Sequence, residues 1–217
     1  MRALVAFMVA LLLGGWALAQ TAAPPPAPPV PALTPENTLY LDLSTGGKVA
    51  IQLRPDVAPA HVERVKALVR RGFYDGLNFH RVIEGFMAQG GDPQGTGEGG
   101  SDLPDLKAEF NGLPHVRGAV AMARAASPDS ANSQFFIMFA PRMSLDGKYT
   151  VFGRVVGGMQ YVDAIKRGEG ENGQVVGEPS KIVKATIAGD VLPAAAAPSA
   201  TPPVATPAPA AGEVRQP

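Results

Sequence analysis

The chain has 217 residues, with 19 Lys+Arg against 19 Asp+Glu, 46% apolar residues, 22 Pro and no Cys. Seven prolines fall between Gln20 and Pro35 and seven more between Pro193 and Pro217, so only Glu36 to Leu192 has a globular composition, enough for one core and not two. Within it 17 basic side chains face 18 acidic ones, which argues against a nucleic-acid binder, and the lack of Cys excludes disulfide frameworks, thiolate zinc sites, a cysteine nucleophile and a lipidated N-terminal cysteine.

Met1-Arg2, the apolar run Ala3 to Leu13 and the small residues of Ala17-Leu18-Ala19 have the layout of a secretory signal peptide over residues 1–19. Cleavage before Gln20 is expected; the alternative, an uncleaved membrane anchor, sits at the lower limit of roughly 17 residues for a span. Either way the domain is expected outside the cytosol, periplasmic or secreted. The Pro-rich linker 20–35 and the Pro/Ala-rich tail 193–217 offer little to bury, and are expected to be disordered spacers.

In the middle, Thr38 to Leu43 and Lys48 to Leu53 alternate apolar and polar residues around Ser44-Thr45-Gly46-Gly47, a β-hairpin signal. Pro59, then Val62, Val65, Leu68 and Val69, then Arg70, Arg71 and Gly72 spell an amphipathic helix from first turn to stop. Short apolar runs follow at Phe79 to Ile83, Ala119 to Ala123, Gln134 to Phe139, Val151 to Val156 and Ile182 to Ala188, with a second helix expected around Met159 to Lys166. Many short strands and two helices predict a mainly β fold, an antiparallel barrel.

Gly95-x-Gly97-x-x-Gly100 matches the dinucleotide fingerprint in form, but Ser101-Asp102-Leu103-Pro104 does not open the helix that would receive a pyrophosphate. His61, His80 and His115 have no partner at a common metal-ligand spacing, and Ser127, Ser130 and Ser133 lack a nucleophile elbow. No metal and no cofactor is expected. If Phe79 to Ile83 is a strand, Phe79, Arg81 and Ile83 share one face and His80 and Val82 the other. That places Arg81 among large apolar neighbours, and periodicity alone leaves open whether it does more than pair with a carboxylate.

Four blocks carry a resemblance: Gly72-Phe73-Tyr74-Asp75-Gly76 with Phe79-His80-Arg81; Gly85-Phe86-Met87-Ala88-Gln89-Gly90-Gly91-Asp92; Ser133-Gln134-Phe135-Phe136-Ile137; and Leu145-Asp146-Gly147-Lys148 with Val151-Phe152-Gly153. In this order they resemble the cyclophilin-type peptidyl-prolyl cis-trans isomerases, and the loop Met122 to Ser133 resembles the bacterial branch. The resemblance covers residues 36–192 and neither tail. It implies an eight-stranded antiparallel β-barrel capped by two helices, and a substrate partner that is a proline-containing polypeptide, here an exported protein still folding.

The resemblance also implies roles. Arg81 would act on the twisted amide and Gln89 would hold the backbone beside it. Phe86, Met87, Phe136 and Leu145 would form the proline pocket, with Tyr149 at its edge. Backbone groups of Ala123, Arg124 and Ala125 would hold the residue before proline, and Gln134 matches a further site position. This chain departs from well-studied eukaryotic relatives at three places: Ser144 stands for their Trp, Tyr149 for His and Arg124 for Asn. Losing the Trp wall predicts weak cyclosporin binding with proline binding retained. Two other readings remain open on sequence alone: a non-catalytic proline-peptide-binding or chaperone module, and an envelope scaffold using its Pro-rich arms. Nothing in the sequence argues for more than a monomer.

Overall fold

The computed structural model describes residues 32–191. After a 3-10 turn at Pro35–Asn37, β1 (Thr38–Leu43) and β2 (Gly47–Leu53) form the expected antiparallel hairpin, with Thr38 opposite Gln52 and Leu43 opposite Gly47. Side chains alternate across a strand, so Leu39, Leu41 and Leu43 point inward together with Val49, Ile51 and Leu53, and all six are buried. The helix α1 spans Pro59–Arg70 and buries Val62, Val65, Leu68 and Val69, the residues at helical spacing. It ends at Gly72, whose φ of +67° is a left-handed conformation that glycine adopts at low cost.

The remaining strands are β3 (Arg81–Ile83), β4 (Met87–Gly90), β5 (Ala119–Met122), β6 (Phe135–Met138), β7 (Val151–Gly157) and β8 (Ile182–Ile187). They join the hairpin in one eight-stranded antiparallel sheet of order β3-β4-β6-β5-β7-β2-β1-β8. The sheet curls until its two ends meet: Asn78 bridges Lys181, Phe79 N–H donates to Ser180 O at 2.9 Å and Ile182 N–H to Leu77 O at 2.9 Å.

Alternation sorts β4, β5 and β6 onto two apolar faces. Ala88, Val120, Met122, Phe135 and Ile137 enter the main core with Phe79, Phe152 and the α1 residues. Their neighbours Met87, Ala119, Ala121, Phe136 and Met138 form a second cluster on the opposite face. Each fully buried large side chain contributes about 1.5–3 kcal/mol of apolar burial. The second face is the one that builds the site.

Several expectations need correction. The strand expected from Phe79 begins at Arg81, because residues 77–80 turn to bond with the β8 side of the sheet. Phe79 therefore packs in the main core with Val82 and not on the Arg81 face. Strand β4 was not among the apolar runs. The second helix, α2, covers only Met159–Asp163, and a short α3, Ala188–Val191, was not foreseen. Pro35, the last residue of the linker, already belongs to the 3-10 turn. Residues 1–19, the linker up to residue 31 and the tail lie outside the described residues. Among the described residues no helix is long and apolar enough to cross a membrane.

A half-buried carboxylate ties distant segments together. Glu109 accepts from Ala60 N–H and His61 N–H at 3.1 Å each and meets His61 Nδ1 at 2.6 Å, capping α1 from a loop 48 residues away. Burial pushes the Glu109 carboxyl up, but those hydrogen bonds outweigh it and hold the group below its ordinary value. For Asp92, burial is likewise outweighed, there by backbone N–H groups. His80 moves the other way for a base: burial, with Arg81 nearby, lowers its pKa against the opposing pull of Asp92.

Both effects give stability the same sign of pH dependence. A histidine with a depressed pKa binds fewer protons folded than unfolded, so stability falls as pH drops below about 6.5. Carboxylates with depressed pKa values hold their stabilisation above about pH 4 and lose it as pH falls further. Urea midpoints should therefore decline modestly between about pH 7.5 and 5.5 and steeply towards about pH 3.5. His80→Gln should flatten the first limb only. A flat midpoint in the parent from about pH 7.5 to 5.5 would contradict the His80 assignment.

Candidate active site

The register lines up a row across three strands: Arg81 on β3 faces Gln89 on β4, which faces Phe136 on β6. Because partners in register project to the same side of the sheet, one guanidinium, one amide and one aromatic ring stand side by side on the second face. Met87, two residues before Gln89, shares that side. The tight β3–β4 turn, closed by Phe86 N–H donating to Ile83 O at 3.0 Å, brings Phe86 over the same face.

A loop from β6 completes the wall. It contains the 3-10 turn Met143–Leu145 and contributes Leu145 and Tyr149. His115 holds it: Arg142 N–H donates to His115 O at 2.8 Å, while Asp146 Oδ1 accepts His115 N–H at 2.8 Å and lies 2.8 Å from its Nδ1. The His115 ring stacks on Phe136 with centroids 6.1 Å apart, and Tyr149 meets Phe136 edge-on at 5.7 Å, a geometry that aromatic quadrupoles favour.

These elements enclose a cavity of about 410 Å³. Nine of the residues singled out in the sequence line it: Arg81 and Gln89; Phe86, Met87, Phe136, Leu145 and Tyr149; Ala123 and Arg124. Ala125 and Gln134 line instead a neighbouring cavity of about 510 Å³, which shares Gln89, Gly97, Ala123 and Arg124 with the first. The two cavities thus form one elongated cleft with Gln89 and Arg124 at its waist.

A hydrogen-bonded chain runs along the polar wall. Arg81 Nε donates to Asn172 O at 2.8 Å and Nη1 to Gln89 Oε1 at 3.1 Å. Gln89 Nε2 donates to Gln134 Oε1 at 2.9 Å, and Gln134 Nε2 donates to Gly97 O and Gly99 O at 2.9 and 2.8 Å. Arg81 Nη2 has no partner among the described residues. Arg124 lies 4.8 Å from the Tyr149 centroid and donates from Nε to Lys148 O at 3.0 Å. No carboxylate lines the first cavity.

Sequence reasoning missed His80, Thr96, Asn172 and Gln174, which also line it. All come from irregular segments with no periodicity, and Asn172 bonds Arg81 through its backbone carbonyl, which no search by side-chain type finds. His80 was placed on the other face of a strand; since residue 80 precedes β3, that alternation does not apply. Close to Gly91, β4 and β6 converge so tightly that a Cβ there would lie 2.5 Å from Ser133 O. Glycine at that position, with φ +85°, lets Gln89 and Gln134 meet.

Residues 40–187 match the model of the family described as cyclophilin type peptidyl-prolyl cis-trans isomerase/CLD. A probable peptidyl-prolyl cis-trans isomerase of Brucella suis is 55% identical over 171 residues, covering 73% of this chain and 86% of that one. Peptidyl-prolyl cis-trans isomerase B of Bacillus subtilis is 44% identical over 135 residues, 61% of this chain and 93% of its own. Among solved structures, a cyclophilin from Hirschia baltica superposes with a TM-score of 0.65 at 30% identity, over 74% of this chain and 77% of that one. A cyclophilin type isomerase of Cryptosporidium parvum, solved in the presence of the dipeptide Ala-Pro, does so at 0.63 and 27%, over 69% and 98%. With the eight-stranded sheet and the order of the four blocks, these matches settle the family: the chain is a member of the cyclophilin-type peptidyl-prolyl cis-trans isomerases.

Proposed function

We propose that the Arg81 cavity is where this isomerase binds and twists an X-Pro bond, and that its substrates are polypeptides folding outside the cytosol. The chemistry asks for little machinery. Rotation must break amide conjugation against a barrier of about 18–20 kcal/mol, yet no covalent bond is made or cut. What lowers the barrier is a site that binds the twisted amide better than either planar isomer.

In the twisted state the proline nitrogen regains a lone pair, and a guanidinium donor aimed at it opposes conjugation. Arg81 suits that role, and one observation carries the reading: Nε and Nη1 are held by Asn172 and Gln89 while Nη2, on a residue that lines the cavity, has no partner among the described residues. Phe86, Met87, Phe136, Leu145 and Tyr149 would receive the pyrrolidine ring. Gln89 would hold the adjoining backbone, and Ala123 to Ala125 the residue before proline. The test is a protease-free assay of cis-to-trans isomerisation in short X-Pro peptides. A folded protein inactive across several residues before proline would overturn this assignment and favour a binding module.

The export half rests on the layout of residues 1–19, and the N-terminus of the protein recovered outside the cytosol should be Gln20. Cyclosporin should bind weakly, because Ser144 is exposed and offers neither an indole N–H nor a wide wall. A titration giving low-nanomolar inhibition would refute that.

A further inference from the structure

We propose that Arg142 is a specificity-determining residue that reads a carboxylate on the residue following the substrate proline. This rests on the isomerase reading of the Arg81 cavity and adds a substrate class to it.

Arg142 opens the loop that walls the cavity. Its backbone is held at both ends, by N–H donation to His115 O at 2.8 Å and by Leu145 N–H donating to its own carbonyl at 3.1 Å. The guanidinium carbon lies 4.9 Å from the centroid of Phe86, a cavity-lining ring. The residue is exposed, and its side chain makes no hydrogen bond or ion pair among the described residues. Arg54, Arg70, Arg71, Arg117 and Arg167, by contrast, each grip a carboxylate. Stacking over an aromatic ring restrains a guanidinium while leaving its edge free to donate. A cation placed in this way loses less rotamer freedom when a carboxylate arrives.

The surroundings favour an anion on this side of the cleft. Arg81 and Arg124 line the cavity and no carboxylate does. The one acid of the loop, Asp146, is engaged by His115. The neighbouring cavity shares Arg124 but lacks Arg81 and adds two acids, Glu98 and Asp105. Phe86 belongs to the first cavity and not to the second. With Ala123 to Ala125 holding the residue before proline, the substrate enters past Glu98 and Asp105 and leaves over Phe86. The acidic position is therefore the one after proline.

The test uses the purified protein and three peptides that differ only in the residue after proline, Glu, Gln or Lys. For the parent, kcat/KM should be about two- to fivefold higher for Glu than for Gln, as an exposed ion pair allows, with Lys lower still. The difference should lie in KM and shrink near 1 M salt, where screening acts within about 3 Å. Arg142→Gln should bring the Glu-to-Gln ratio to about one and Arg142→Lys should keep part of it. Arg154→Gln, a change at an exposed arginine of β7, should leave the ratio intact. Equal rates for Glu and Gln in the parent, or a ratio that survives Arg142→Gln, would overturn the proposal with the isomerase reading standing. Failure to isomerise any of the three would overturn both.

Discussion

Arg81→Ala should lower kcat/KM for a short X-Pro peptide by roughly a hundredfold or more, the usual cost of removing one donor aimed at the transition state. The fall should appear in kcat as much as in kcat/KM, because the guanidinium gains its partner only when the amide twists. The fold should survive. Arg81 is half-buried, and the second-face cluster beside it is made by Met87, Phe136 and Met138. Arg81→Lys should recover little, since the three donors of an ammonium radiate from a single atom and cannot reproduce the planar fork in which Nε meets Asn172 O, Nη1 meets Gln89 Oε1 and Nη2 is left over. Circular dichroism establishes folding and the peptide assay reads the rate. A folded Arg81→Ala protein with a rate close to the parent's would remove Arg81 from the mechanism.

The second large effect is expected at a residue that lines neither cavity. Asp92 is 1% exposed, and its carboxylate accepts from the backbone N–H groups of Gln94, Thr96 and Gly97 at 2.8, 2.9 and 2.6 Å. Asp92→Ala strips three loop donors of their acceptor and should cost about 3 kcal/mol or more in urea unfolding. Activity should fall with it. The same loop supplies Gly97 O and Gly99 O to Gln134, and Gln134 holds Gln89. Asp92→Asn keeps an acceptor of the same shape and should lie between the two. Unchanged stability in Asp92→Ala would mean that the glycine-rich loop orders itself without the carboxylate.

Where one face of an element is buried and the other wet, the sequence was readable. The β1–β2 hairpin and α1 are such elements, and their periods of two and of three to four residues mark them at once. Strand β4 is the counter-example. Met87, Ala88 and Gly90 are all buried, because one set of side chains packs on the main core and the other on the site cluster. No apolar-polar alternation survives in such a strand. At Phe79 the pattern misled, since a strand was extended through residues that bond across to β8.

The site divides along the same line. Its apolar wall and its Arg81–Gln89 pair sit on strands or in contiguous motif blocks, so a family resemblance could carry them over. His80, Thr96, Asn172 and Gln174 come from irregular chain, placed by hydrogen bonds such as Val175 N–H to His80 O at 3.0 Å. Contacts of that kind join residues far apart in sequence, and no local pattern announces them.

The chain from Arg81 through Gln89 and Gln134 to the loop carbonyls has a single sense of donation. A guanidinium can only give hydrogen bonds, so Gln89 must turn its oxygen towards Arg81 and its nitrogen away. Gln134 must then do the same, and its nitrogen meets two carbonyl oxygens. Neither amide can rotate by a half-turn without setting donor against donor. A donor-only group at one end and two acceptor-only carbonyls at the other therefore fix the orientation of both amide dipoles along the wall before any substrate arrives. A neutral residue at position 81 would release one end only, because the carbonyl oxygens of Gly97 and Gly99 would still hold the nitrogen of Gln134, and through it the nitrogen of Gln89, in the same sense.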